Sequence, residues 1–339
     1  MTALRCVACD APVVVVERSF SVRREWLFQR AVWLVLIVSL LLTACGAPSG
    51  PTVAGSPTAS ASSAPTAASV LGASSAPADA IARVGNGYIL RQDFDRFYLP
   101  GGDPKALLDQ MIDVELVVQA ALQAGTTVDE ALIDDQVEQL RLVQAGGDVA
   151  QFAAFLQSNK IADEAELRRL LRRDQLIEQM LLEHTTAEQV RARHILVAAT
   201  PEEAADRKAT AEAILAELQN GGDFAALARD RSDDPGSAVN GGDLGWAPRG
   251  IYVEPFEAAI FSMQPGELRL VQTDYGWHII EVTDGPEVRP FDDRALLDTP
   301  AGQQAFSETF LPWVASLRSA AEAAGEIEIL VDLATLQQP

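Results

Sequence analysis

Cysteine is almost missing from this chain. Of 339 residues three are cysteines, and Cys6, Cys9 and Cys45 all lie in the first 45. Beyond Cys45 there is no thiol, which excludes a disulfide framework, a thiolate metal site and a cysteine nucleophile from the remainder. Histidine is equally scarce, with three residues, and no HExxH pair exists to hold a catalytic zinc. The sequence therefore calls for no metal and no cofactor. Positive charge is short as well: 26 lysines and arginines stand against 48 acids, a net charge of −22. A chain of that sign repels phosphate backbones, so nucleic-acid binding is set aside. Hydrophobic residues, by contrast, make up 48%, enough at this length for a sizeable core and two domains of ordinary size.

The first 45 residues are a different material. "RREWLFQR" carries positive charge, and "AVWLVLIVSLLLTAC" then runs apolar to Cys45. A charged region followed by a short apolar run reads as an export signal, not a stable span. Its end, Leu42-Thr43-Ala44-Cys45, resembles the lipobox of bacterial lipoprotein precursors. That resemblance implies that residues 1–45 are a signal peptide and that Cys45 is lipidated. The mature protein would then sit on the extracytoplasmic face of a bacterial cell membrane. The stretch before Arg23 is long for such a signal, which leaves a start downstream of Met1 open. Residues 46–78 are mainly Ala, Ser, Pro, Thr and Gly with no charge, a composition that packs no core and reads as a disordered tether.

Folded sequence begins near Asp79. "AIARVGNGYIL" alternates around Gly85-Asn86-Gly87 as a hairpin. From Arg91 to about Gln189 the pattern is helical, and residues 79–189 read as one helical domain. In its last helix Leu167, Leu170, Leu171, Ile177, Met180 and Leu181 share a face, and Asp163 with Glu166 opens it as a capping box. From Arg191 the rhythm changes. A strand, "RARHILV", precedes a helix that Thr200, Pro201 and Glu203 would start and Gly221-Gly222 would stop. "DFAALARDRS" is a second helix, "DDPGSAVNGGDLGWAPRG" a loop and "EPFEAAIFSM" a third helix; "LRLVQT" and "WHIIEVTD" are strands. The expected order over 190–285 is β-α-α-α-β-β. Residues 286–339 become helical again and end in "EIEIL". That lone strand needs a partner, and a hairpin needs a third strand, so the C-terminal segment is expected back at the N-terminal domain.

One residue is odd in this pattern. His194 sits inside an apolar strand, where a polar ring needs partners. The stretches "HILV", "SDDPGSAVNGGDLGW", "EPFEAAIFSMQPGE" and "DYGWHIIEV" follow one another in that order. Each alone is weak. Together they resemble the parvulin-type peptidyl-prolyl isomerases over about Val190–Asp284. The resemblance implies a histidine pair, His194 and His278, on the floor of the active site. It puts the active-site acid at Asp234, with Asp233 as the alternative, and Thr273 in the histidines' hydrogen-bond network. These four would be the catalytic residues. Leu244, Tyr252, Phe256 and Tyr275 would bind substrate; tyrosine departs from the family pattern at Tyr252 and Tyr275. Gly241, Gly242 and Gly245 would allow a tight turn beside the pocket. His184 lies outside the domain and reads as a surface residue.

The implied chemistry needs no nucleophile. Rotation about a prolyl amide breaks resonance without making or cutting a bond. The region after the first strand, "AATPEEAADRK", opens with acids, so no preference for a phosphorylated residue before proline is expected. The surroundings resemble, more loosely, the PrsA foldase lipoproteins and SurA-type chaperones. The resemblance implies an α+β fold, with a parvulin domain of small antiparallel sheet and flanking helices inserted in a mainly helical chaperone-like domain. Its partners would be unfolded exported polypeptides containing Xaa-Pro bonds, and the membrane through Cys45. The alternative reading is a holdase whose parvulin domain is catalytically weak. Whether the helices also pair two copies into a homodimer is left open.

Overall fold

The computed structural model describes residues 76–200 and 202–337. The expected signal peptide with Cys45 lies outside them, as do Pro201 and all of the 46–78 tether except its last three residues. Two sheets organise the described residues. In the first, β1 (Ala80–Val84) and β2 (Gly87–Leu90) form an antiparallel hairpin, and Gly85 takes the left-handed conformation its turn requires. The C-terminal β7 (Ile327–Ile329) pairs with the other edge of β1, Ala82 facing Ile329, so the order is β2-β1-β7. The sheet buries Ile81, Val84 and Ile89 against Phe94 of α1 (Arg91–Phe97) and Leu108, Ile112 and Leu116 of α2 (Pro104–Ala124).

Three more helices follow: α3 (Glu130–Ala145), α4 (Val149–Ser158) and α5 (Glu164–His184). Asp103, Asp129, Asp148 and Asp163 each accept a backbone N–H at a helix start. Glu166 reaches back to the amide of Ala162, one residue before the cap. On α5 Leu167, Leu171, Met180 and Leu181 are buried, whereas Leu170 and Ile177 are half-buried at the edge of the stripe. Its basic face meets carboxylates of the earlier helices, with Arg173 on Glu115 at 2.6 Å and Arg172 on Glu130 at 2.8 Å.

The second sheet differs from the expectation in two ways. Helix α5 stops at His184, and β3 runs over Thr186–Ala198, beginning well before "RARHILV". "DLGWAP" is not loop: β4 (Asp243–Pro248) pairs with β3. With α6 (Ala204–Gln219), α7 (Phe224–Arg231), α8 (Glu254–Ile260), β5 (Leu268–Thr273) and β6 (Gly276–Pro290), the order is β-α-α-β-α-β-β. The sheet runs β4-β3-β6-β5, antiparallel throughout. As an edge strand β4 tolerates the glycine, the proline and the irregular register that make its sequence read as a turn. Helix α6 also starts later than Thr200: Glu203 takes the Thr200 amide and hydroxyl at 3.1 and 3.0 Å in a turn ahead of the helix.

Period-two alternation gives this sheet two packed faces. Ile195, Val197 and Ile279 meet Ile214, Leu218, Phe224 and Leu227 of α6 and α7 on one side. Ala192, Ile280 and Val282 meet Phe256, Ile260 and Met263 on the other. After β6 the chain forms α9 (Pro300–Ala305), a π turn over Phe306–Phe310 and α10 (Leu311–Ala323). The π turn lies just before Pro312, which has no N–H to continue the regular ladder. His184, expected at the surface, stacks on Trp313 of α10 with ring centroids 3.7 Å apart. Only the returning helix makes that contact, so α5 alone could not reveal it.

Candidate active site

His194 faces Ile280 across the β3–β6 ladder, and Leu196 faces His278. The two histidines are thus diagonal neighbours on one face, within reach of each other. Val271 of β5 faces His278, and Thr273, two residues on, points to the same side. The long strand pairing sets this alignment, and the loop after α7 completes it. His194 donates its amide to the carbonyl of Gly242 at 2.9 Å. Gly242 has φ +82°, and a Cβ there would lie 2.3 Å from the His194 carbonyl oxygen, so only glycine allows this approach.

The polar atoms form one chain. Asp234 Oδ2 lies 2.8 Å from His194 Nε2, and His194 Nδ1 lies 3.0 Å from His278 Nδ1. His278 Nε2 lies 2.8 Å from Thr273 Oγ1, which accepts the amide of Tyr275 at 3.1 Å. Matching donors to acceptors assigns the protons. A carboxylate only accepts, so His194 carries its proton on Nε2. The Tyr275 amide occupies a lone pair of Thr273, whose own hydroxyl then donates to His278 Nε2. His278 therefore donates from Nδ1 to His194. Every bond points the same way, from the Tyr275 amide to Asp234.

The electrostatics agree. Burial alone would raise Asp234, but hydrogen bonds from Ser237, His194 and the Gly236 amide outweigh it and hold the carboxyl at about 2. Burial, and then the neighbouring His194, push His278 down to about 4, so it is uncharged at neutral pH. Both rings are buried, His194 at 7% and His278 at 6% exposure. Phe256 stands edge-on to both, its centroid 5.6 Å from His194 and 5.2 Å from His278. Tyr252 packs on Phe256 at 5.0 Å, and Leu244 joins the same cluster. Burial, then Asp243, push the Tyr252 phenol up to about 12, so it too stays neutral. The result is a hydrogen-bonded floor, with a neutral His278 and an ionised Asp234, beside an apolar wall.

The structure separates the two candidate acids. Asp234 touches His194, whereas Asp233 accepts the Ala198 amide at 2.9 Å and Arg207 at 3.1 Å, tying the loop to the end of β3. His194, Asp234, Thr273 and His278 come together, with Leu244, Tyr252 and Phe256 beside them. Tyr275 differs: it enters through its backbone amide, and its side chain is 63% exposed. Sequence reasoning passed over Ser237. Its hydroxyl donates to Asp234 Oδ2 at 2.5 Å and lies 3.1 Å from His194 Nε2. The available signal was its place three residues after Asp234, where a tight turn (Ala238 amide to Asp234 carbonyl, 3.0 Å) folds it back.

Residues 176–285 match the family described as "PPIC-type PPIASE domain". A Foldase protein PrsA of Geobacillus sp. (strain WCH70) is 33% identical over 229 residues, 63% of this chain and 75% of that protein. A probable parvulin-type peptidyl-prolyl cis-trans isomerase of Bordetella pertussis is 34% identical over 196 residues, 55% of this chain and 66% of the relative. Chaperone SurA of Methylococcus capsulatus is 46% identical over 99 residues, 28% of this chain and 21% of that one. The chain belongs to the PrsA foldase family and carries a parvulin-type peptidyl-prolyl cis-trans isomerase domain.

Proposed function

We propose that this protein is an extracytoplasmic foldase, anchored to the membrane through lipidated Cys45, that isomerises Xaa-Pro bonds in exported, incompletely folded chains. Residues 190–285 form the isomerase domain. Residues 79–189 and 286–339 form the helical part that meets the client. The one-way hydrogen-bond chain beneath Phe256 carries the reading. Rotation of a prolyl amide meets a barrier of about 18–20 kcal/mol because resonance is lost. The twisted amide is less polar than the planar one, so a dehydrated pocket with an apolar wall favours it. Leu244, Tyr252 and Phe256 cradle the ring, with Tyr275 at the rim. His194, His278, Thr273 and Asp234 fix the floor without forming a bond to substrate.

Catalysis does not favour phosphorylated clients on this reading. Arg207, the first cation after β3, is held by Asp233 and the Ala198 carbonyl, and Lys208 lies 3.4 Å from Glu212. The test is prolyl cis/trans exchange in an Ala-Pro peptide, followed by NMR with the full chain added. Acceleration lost in a folded Asp234→Ala protein is expected. No acceleration by the wild type sinks the proposal. Faster exchange in a phosphoserine-proline peptide than in its unmodified counterpart sinks the part concerning phosphate.

A further inference from the structure

Beside the wall made by Leu244 and Tyr252 lies a cleft of about 420 Å³. Two separate segments build it. β4 and the turn after it supply Leu244, Trp246, Ile251 and Tyr252, and the chain leaving β6 supplies Asp292, Asp293 and Leu296. The cleft is therefore apolar on its inner side and acidic where the returning segment crosses it. Asp292 and Asp293 are both exposed. Asp293 uses one oxygen to cap the following turn at the Ala295 amide, 2.8 Å away.

Its cation is already neutralised. Arg191, which also lines the cleft, is held by Asp243 at 2.6 Å. Asp284 and Asp292 act on the same guanidinium. The charges gathered here are thus Asp243, Asp284, Glu287, Asp292 and Asp293 against Arg191, Arg193 and Arg289, a surplus of negative charge. The chain also shows what these groups accept. Arg289 lays its guanidinium over Trp246, 4.1 Å from the ring centroid, and reaches Asp292 at 3.0 Å. An indole face beside a carboxylate suits a cation with an aliphatic stem.

We propose that this cleft is a specificity subsite for a lysine or arginine side chain of the client, within a few residues of the isomerised proline. The inference rests on the proposed proline pocket, because Leu244 and Tyr252 border both spaces and consecutive residues reach only about 3.8 Å from Cα to Cα. The stem packs on Ile251 and Leu296, and the charge meets Asp293 beside Asp292, which already holds Arg289 at 3.0 Å. The returning segment forms one wall, so preference among clients is set jointly by the isomerase domain and the chain that leaves it.

The test compares Ala-Pro peptides that carry lysine, glutamine or glutamate two residues from the proline. The full chain, its Asp292→Asn/Asp293→Asn variant and an Asp206→Asn/Asp230→Asn control are used. Asparagine keeps the cap and the shape, and the control removes the same charge from exposed positions outside the cleft. The wild type should favour the lysine peptide over the glutamate peptide by about fivefold in kcat/KM, as expected for partly exposed ion pairs. That ratio should fall to about one in the cleft variant and persist in the control. Equal turnover of the three peptides by the wild type overturns the subsite and leaves the isomerase reading standing. A ratio that survives in the cleft variant, or vanishes equally in the control, assigns the preference elsewhere on the acidic surface. If the wild type accelerates none of the peptides, the isomerase reading fails. Peptide affinity read from the Trp246 indole signal then makes the same lysine-to-glutamate comparison without turnover.

Discussion

Acidification should weaken this protein through His278 in a way that can be worked out in advance. The group sits at about 4 in the folded chain against an ordinary 6.5. Its unfolded form therefore binds a proton as pH falls through about 6.5, while the folded form resists until about 4. The stabilisation is fully present above 6.5 and is lost between 6.5 and 4. The whole difference corresponds to about 3 kcal/mol, of which about 2.5 is gone by about pH 4.5. Other groups titrate in this window. Asp174, raised to about 7 by burial and then by Glu178, works in the opposite direction, since its protonation favours the folded chain. Comparing wild type with His278→Gln at about pH 7 and about pH 4.5 cancels such terms, because only the wild type carries the imidazole. The assay is urea unfolding read from NMR signals of β3 and β6. The wild type should lose about 2.5 kcal/mol more than the variant on acidification. Equal losses in the two proteins, or a His278 C2–H titration centred near 6.5, would falsify the assignment of a neutral, buried imidazole. Protonating His278 also turns Nε2 into a donor facing the Thr273 hydroxyl, so the exchange activity should stay level from about pH 8 to about pH 5.5 and fall with a midpoint near 4.

Two further substitutions probe the same site from its edges. Ser237→Ala removes a donor to Asp234 and should let its carboxyl rise from about 2 toward the ordinary 3.8. Stability present above 3.8 would then disappear at a higher pH than in the wild type, with about 1 kcal/mol lost at neutral pH; carbon-detected titration of Asp234 reads this, and an unmoved midpoint refutes it. Gly242→Ala puts a methyl 2.3 Å from the His194 carbonyl at φ +82°, and should cost about 2–4 kcal/mol. An unchanged Tm would show that the loop does not press on β3.

The short apolar runs in "RARHILV" and "WHIIEV" were enough to put His194 and His278 in strands, and the order of four short stretches was enough to suggest the family. The helix start at Asp163 was also readable, because a cap acts on an amide three residues away. What escaped depends on partners far along the chain. β4 exists because β3 pairs with it, despite a glycine and a proline that spell a loop in isolation. The choice between Asp233 and Asp234 depends on which one the turn aims at His194. Ser237 gains its place by the same turn, Tyr275 turns its side chain outward, and His184 finds Trp313 only when α10 returns.

Local sequence thus determined what each segment prefers: its period, its caps and the residue types available for chemistry. Tertiary structure decided the directions. A hydrogen-bond chain has a polarity only when all its donors and acceptors are in place, and a cleft has a charge only when separate segments close around it. Both are properties of distance between residues remote in sequence, which periodicity cannot encode.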